Sequence, residues 1–391
     1  MPRGSLRISL AAPLAACLIL HVPAAAETSS WEGRVDGPAE AAPKKARPKP
    51  TPAVPAKLIR VVPASPTALP FVVPPAASSA VGAPPSTAPA TSGAPDRGGN
   101  VSEVIKAPVP GEDAAYEAFD QGKYITALQL ALQAAQKGDP QAHTLVGRIY
   151  AEGYGAAQNL SLAAQWYARA AELGDPEGMF AYGLMLAEGK GVQKSYDAAA
   201  QMFEAAAGHK HPLANYNLAL LFLRGEGKPE NPHRALGHML FAAETGVAAA
   251  QYDLGTMYAT GTGTDANAFE AARWIGKAAA QGHTEAQLDY AVLLFRGHGV
   301  PPDQKRGAAL FRAAAEKGMA VAQNRLARCY VHGAGVEKSM IDAATWHLIA
   351  KGGGVPDESL DKTVAKLSKA DRAKAEKAAA AWRDKSLMGI E

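Results

Sequence analysis

Few side chains in this sequence are spaced for chemistry. Ser359-Leu360-Asp361-Lys362 spells the S-x-x-K pattern, in which a lysine next to a serine nucleophile serves acyl transfer on cell-wall or β-lactam substrates. Neither S-D-N nor K-T-G accompanies it, and Ser359 stands at the expected start of a helix. Six G-x-G pairs suggest phosphate loops, but none continues as G-x-G-x-x-G, and each follows a helical pattern and not a strand. Gly183 to Lys190 has the wrong spacing for a Walker loop and no Ser or Thr after the lysine. His209-Lys210-His211, with His233 and His238 further on, lacks the Asp, Glu or Cys partners a metal site needs. Cys329 occupies a position filled by Ile, Met or Leu elsewhere, so it reads as a small buried hydrophobe and not a reactive thiol. No H-E-x-x-H or G-x-S-x-G occurs. The expectation is a non-enzyme with no catalytic residue, no cofactor and no metal.

The elements that carry these residues are written as a repeat. A period of 36 residues runs without insertion through units 140–175, 176–211, 212–247, 248–283, 284–319 and 320–355. Counting each unit's first residue as position 1, positions 14 and 16 are always glycine. The pairs are Gly153 and Gly155, Gly189 and Gly191, Gly225 and Gly227, Gly261 and Gly263, Gly297 and Gly299, Gly333 and Gly335. Position 31 is always alanine, position 8 is Gly or Ala, and position 11 is Tyr, Phe or Leu. Positions 3, 7 and 11 make one apolar stripe on a first helix, which both glycines are expected to end in a tight reversal. A second helix carries small residues at positions 24 and 31, with Trp166, Trp274 and Trp346 at position 27 filling larger gaps. Each hairpin leaves its faces bare until the next stacks on it, so the chain is expected to be all-α, a right-handed α-solenoid. Lys228-Pro229 after the third turn predicts a second helix set differently there.

The unit A-x-x-x-L-G-x-x-Y-x-x-G-x-G followed by A-A-x-W-Y-x-x-A-A-x-x-G resembles the Sel1-like repeat family, a cousin of the tetratricopeptide repeat. The likeness is clearest in Leu145–Gly155 with Ala163–Gly174, and in Leu254–Gly263 with Ala271–Gly282. Residues 111–139, from Tyr116 onward, look like a shorter tetratricopeptide-type half unit, and 356–391 like a polar helical cap, with Ser368 as N-cap of its second helix. The resemblance implies an adaptor or scaffold for protein complexes, of the exported proteobacterial kind. Penicillin-binding relatives carry a cysteine pair per repeat, which this chain lacks.

If positions 3, 7 and 11 face the hairpin partner, position 5 turns the other way. It reads Thr144, Phe180, Tyr216, Tyr252, Leu288, Asn324, three consecutive aromatics in one inner column. Positions 6 and 13 add a fringe of Asn217, Asp253, Asp289 and Arg325, and of Arg224, Arg296 and His332. Aromatics with arginine are favoured contact anchors, so this wall predicts a groove for an extended peptide or helix. The competing expectation is that the inner helices pack on one another.

The N-terminus reads as an address. Arg3 and Arg7, an apolar run from Ile8 to Val22, and Pro23-Ala24-Ala25-Ala26 predict a signal segment over 1–26 and export to the periplasm. Leu14-Ala15-Ala16-Cys17 offers the alternative of a lipoprotein acylated at Cys17. Residues 27–110 hold 17 of the 28 prolines and predict a disordered tether. Its basic stretch Lys44-Lys45-Ala46-Arg47-Pro48-Lys49 could touch a cell wall or membrane surface.

Composition agrees with this organisation. The 391 residues include 85 alanines and only 7% aromatics, a profile for close helix packing that argues against a β-sandwich or barrel. The formal charge of +3 comes from the first 110 residues, which sum to +5, while 111–391 sum to −2, which disfavours nucleic acid as a partner. No membrane-spanning helix is expected in the mature chain. The reading is a scaffold in a bacterial envelope binding an unidentified protein or peptide. The alternatives are a hydrolase working through Ser359 and an anchor held to the cell wall by its tether.

Overall fold

A computed structural model describes residues 114–387. The expected signal segment with Cys17, the proline-rich tether, and residues 111–113 and 388–391 lie outside the described residues. Among the described residues every regular element is a helix; up to residue 352 consecutive helices pack in chain order as an α-solenoid, and the last helix, 369–387, packs back on the helix 340–352. No described helix is long and apolar enough to cross a membrane.

A short hairpin leads, α1 (Ala114–Asp120) and α2 (Tyr124–Gln136). The six units follow. Their first helices are α3 (Pro140–Glu152), α5 (Pro176–Glu188), α7 (Pro212–Arg224), α9 (Ala248–Thr260), α11 (Thr284–Arg296) and α13 (Ala320–His332). Their second helices are α4 (Leu160–Glu172), α6 (Tyr196–Gly208), α8 (Pro232–Glu244), α10 (Ala268–Ala280), α12 (Gln304–Glu316) and α14 (Met340–Gly352). Two more, α15 (Glu358–Ala365) and α16 (Lys369–Leu387), close the array.

Every unit helix is 13 residues long because the same residues punctuate it. Position 20 is Asn159, Ser195, Asn231, Asn267, Asp303 or Ser339, and its side chain accepts a backbone N–H from the first turn of the second helix. Its own N–H donates to the carbonyl of position 11, as from Asn231 to Phe222 at 2.8 Å, which ties the two helices at the turn. The third unit follows the same plan. The expectation of a differently set α8 is corrected: Pro229 falls in the loop ahead of the Asn231 cap, where no helical N–H is needed.

The two turn glycines do different work, and the expectation that both end the helix is corrected. Only the first of each pair is a helix cap: Gly153, Gly189, Gly225, Gly261, Gly297 and Gly333. Gly225 is the left-handed cap of α7 (φ +67°), its N–H bonded to Leu221, and a Cβ on it would meet nothing closer than 3.4 Å. The second glycine abuts the element before its own unit. A Cβ on Gly227 would fall on the carbonyl oxygen of Tyr196 at the start of α6. Gly191 stands in the same way against the Leu160 carbonyl at the start of α4, and Gly299 against the Ala268 carbonyl at the start of α10. Gly263 meets Pro232 and Gly335 meets Gln304, while Gly155 approaches Tyr124 of the leading hairpin. These glycines are stacking contacts because a side chain would hold successive elements apart.

Position 35 is glycine in five units, at positive φ each time, and Lys210 in the other. Lys210 adopts φ +62°, the one non-glycine residue with positive φ among those described. The hairpins close over small residues at position 8: a Cβ on Gly183 would sit 2.7 Å from the Phe203 ring. Phe203 is fully enclosed, and burying such a ring contributes about 2 to 3 kcal/mol. Trp274 is buried in the middle of the array, whereas Trp166 and Trp346 are half-buried.

Candidate functional site

The first helices present one face that the second helices do not cover, and the expected contact residues are distributed between that face and the interior. Phe180 on α5 is 4% exposed, its ring stacked 4.6 Å from His211, which itself caps α7. Tyr216 on α7 is also 4% exposed, its hydroxyl donating to Asp253 Oδ2 at 2.9 Å. Asn217 is 2% exposed and donates to the Leu213 carbonyl. These three are not contact surface, and their assignment to an open groove is corrected. Position 5 is covered by the following unit, since Tyr216 bonds Asp253 of α9 and Phe180 stacks on His211 at the start of α7, and the Phe180 ring also lies 6.0 Å from Phe203 of its own hairpin.

The other six reach the surface to some degree. Tyr252 is half-buried, its hydroxyl donating to Asp289 Oδ2 at 2.8 Å and its ring 5.0 Å from His283. Burial, then the Asp289 charge and hydrogen bond, hold the Tyr252 phenol far above its usual range. Burial also pushes Asp289 up, against the Tyr252 hydroxyl, and Glu285 adds to the rise. Asp253 and Arg224 are half-buried, the latter 3.9 Å from Glu226. Arg296, the last residue of α11, is exposed. Arg325 on α13 is half-buried; burial lowers its guanidinium, as do Arg328 and Arg296, and Asp357 opposes them.

Two sets of residues were missed. Gln251, Gln287 and Gln323 share position 4 and donate to the carbonyls of Ala243, Ala279 and Ala315, stitching each first helix to the second helix before it. Their spacing of 36 was the available signal. The other set is Arg328 with Asp357. Arg328 Nη2 lies 2.7 Å from Asp357 Oδ2, which also accepts from Asn324 at 3.0 Å, while Oδ1 caps α15 through the Ser359 and Leu360 N–H groups. Arg328 follows Arg325 by three residues on the same helix face, and that spacing is visible in the sequence.

The residues weighed for chemistry are scattered. Ser359 and Lys362 lie exposed on α15. Cys329 is 5% exposed, and burial pushes its thiol up to about 12. His211 Nε2 pairs with Glu177 at 2.9 Å, and His238 Nδ1 with Asn215 Oδ1 at 2.9 Å. Among the described residues no three His, Cys, Asp or Glu side chains gather as a metal site would require.

The model of the Sel1 repeat matches 140–175, 176–211, 212–247, 248–283, 284–319 and 320–354. The chain belongs to the Sel1-repeat family. Proteins of this family generally mediate protein–protein interaction, on a fold that is typically a non-catalytic scaffold. Among solved structures it is similar to a Sel1 repeat protein from Oxalobacter formigenes. That match has 30% identity and a TM-score of 0.54, over 60% of this chain and 94% of that one. It is also similar to a protective antigen from uropathogenic Escherichia coli displaying an SLR fold. There the figures are 25% identity and TM-score 0.47, over 70% of this chain and 68% of that one. No curated protein matches the chain.

Proposed function

We propose that this Sel1-repeat array is a non-catalytic scaffold of the bacterial envelope, holding a protein or peptide partner on the first-helix face of its fourth to sixth units. One observation carries the reading. On that face Tyr252, Asp253, Asp289 and Arg325 are half-exposed and Thr256, Thr260 and Arg296 exposed, whereas Phe180, Tyr216 and Asn217 in the second and third units are enclosed. An aromatic ring, acids and arginines side by side are what a protein partner's core and rim contacts use. The envelope assignment is supported by the basic, apolar and A-x-A pattern of residues 1–26, with 27–110 as the tether.

Two experiments test it. A photo-crosslinking residue at Thr256 or Arg296 should give discrete adducts in cells, and one at the exposed second-helix positions Gln165 or Ala309 should not. Adducts confined to the second-helix positions would move the site to the other face. Residues 1–26 fused to a phosphatase that is active only outside the cytoplasm should give activity; a silent fusion removes the envelope assignment.

A further inference from the structure

The leading hairpin keeps the register of the units with one part missing. Its second helix α2 has the full 13 residues, but α1 has seven where every unit's first helix has 13. Ala134 stands 36 residues before Ala170, in the row that continues through Ala206, Ala242, Ala278, Ala314 and Ala350. Those six are completely enclosed, whereas Ala134 is half-buried. An open cleft of about 270 Å³ lies at that place, between the first residues of α1, the second half of α2 and the start of α3. Leu130, Ala134 and Ala142 give it apolar walls, and the exposed Gln133 and Gln141 line it as well. Tyr116 also faces it, its hydroxyl donating to the Gln141 carbonyl at 3.2 Å.

From this geometry we infer that the cleft is a binding site for a short proline-containing segment, and that its occupant is Pro108-Val109-Pro110 of this same chain. Reach, register and chemistry single out that occupant. The chain enters the array at Ala114, which itself lines the cleft, and only residues 111–113 separate Ala114 from Pro110. Four Cα steps span at most about 14 Å, which keeps the motif beside the cleft.

Counting back from Ala114, residues 108–113 correspond to the six that begin each complete first helix. Their sequence opposes that helix: Pro110 restricts Val109 to extended backbone, and Gly111 costs about 1 kcal/mol in a helix. An extended proline segment suits the cleft for the same reasons that it makes a poor helix. It has no internal hydrogen bonds, its proline nitrogens need no acceptor, and its carbonyls can accept from the Gln133 and Gln141 amides. Its apolar side chains match walls of alanine and leucine, and a tyrosine is a usual partner of such segments. A repeat array must cover its terminal faces. Helices α15 and α16 do so at one end, and the seated segment does so at the other.

The test is photo-crosslinking within the purified full chain, with a benzophenone amino acid at Gln133 and adducts located by mass spectrometry. The expected product is an intramolecular adduct on Pro108, Val109 or Pro110. The same photoreactive residue at exposed Ala309 on α12 should give no adduct with that segment. Val109→Asp would set a carboxylate against alanine and leucine and should lower the yield about tenfold, while Val109→Ile should keep it. Both changes lie outside the described helices, so the circular dichroism of the array should stay as it is and a lost adduct reports the cleft. Four results overturn the inference: no adduct, an adduct joining two chains, an adduct on a different segment, or a yield indifferent to Val109→Asp.

Discussion

Two carboxylates join neighbouring elements at different places in the array, and their environments are opposite. Asp289, between the fourth and fifth units, is fixed by one tyrosine hydroxyl, and burial raises it above the ordinary carboxylate range. Asp357, between the sixth unit and the cap, is also raised by burial. The Asn324 amide, the Leu360 N–H and Arg328 outweigh that and bring it below the ordinary range. The middle of the array is held by apolar packing, a continuous core from Phe180 to Trp274, and tolerates a carboxylate as a hydrogen-bond acceptor. The last junction depends on ionised groups. A repeat can reuse one interface where units meet units, but where the array ends the partner surface changes and charge replaces packing.

Breaking the middle junction should have the largest effect. Gly227→Ala drives a methyl into the Tyr196 carbonyl and forces an L side chain to positive φ, an expected loss of about 4 kcal/mol. Gly225→Ala bears the conformational cost without the clash and should lose about 1 to 2 kcal/mol. Urea denaturation of both measures the difference, and equal losses would show that the second glycine is no stacking contact.

Asp357→Ala attacks the other junction and should cost about 3 kcal/mol, because Asn324 is left buried without its acceptor and Arg328 without its anion. The loss should be local. The edge-to-face pair of Trp346 and Trp382, 6.2 Å apart, reports cap docking by fluorescence while circular dichroism follows the array.

Acid separates the two junctions by sign. Asp357 ionises more readily folded than unfolded, so its contribution is complete above about pH 4 and fades as pH falls through its depressed folded value. Asp361, held down by His347 and Lys351, and Asp371, held down by Lys374 and Ser368, shift in the same direction. Asp289 has the reverse linkage: its contribution is complete below the unfolded value and is lost as pH rises through its raised folded one. On acidification the tryptophan signal of the cap should change before the helical signal, and Asp357→Asn should flatten part of that early change. A single coincident transition would mean that the cap and the array unfold together.

The smallest effect is a gain. Lys210→Gly relieves a left-handed lysine where five other units use glycine, and should add about 1 kcal/mol, read as a higher urea midpoint.

The outlines of the fold were legible because each was periodic. Gly153 to Gly335 marked the turns, positions 3, 7 and 11 marked the buried stripe, and Ala170 to Ala350 marked the close approach. The caps at position 20 recur in all six units and the glutamines at 251, 287 and 323 in three, but a polar residue at a fixed interval does not by itself name the backbone group it bonds. Periodicity also could not separate the two glycines of a pair. Gly189 and Gly191, or Gly297 and Gly299, recur identically, and only the neighbouring backbone distinguishes the cap from the stacking contact. The candidate site was less legible still. Tyr216 and Tyr252 hold the same position and make the same hydrogen bond, yet one is enclosed and the other half-exposed.

The sequence by itself determined the helices, their lengths and their turns, since these depend on residues within one unit. Tertiary structure alone decided which first-helix residues remain at the surface, because accessibility depends on the side chains of the next unit. It also decided which charges meet: Arg328 lies on α13 and Asp357 at the start of α15, with α14 between them in the chain, and they come within 2.7 Å only once those elements stack. Helix formation answers to spacing of three or four residues, whereas burial and electrostatics answer to distance in space, which the sequence does not write down.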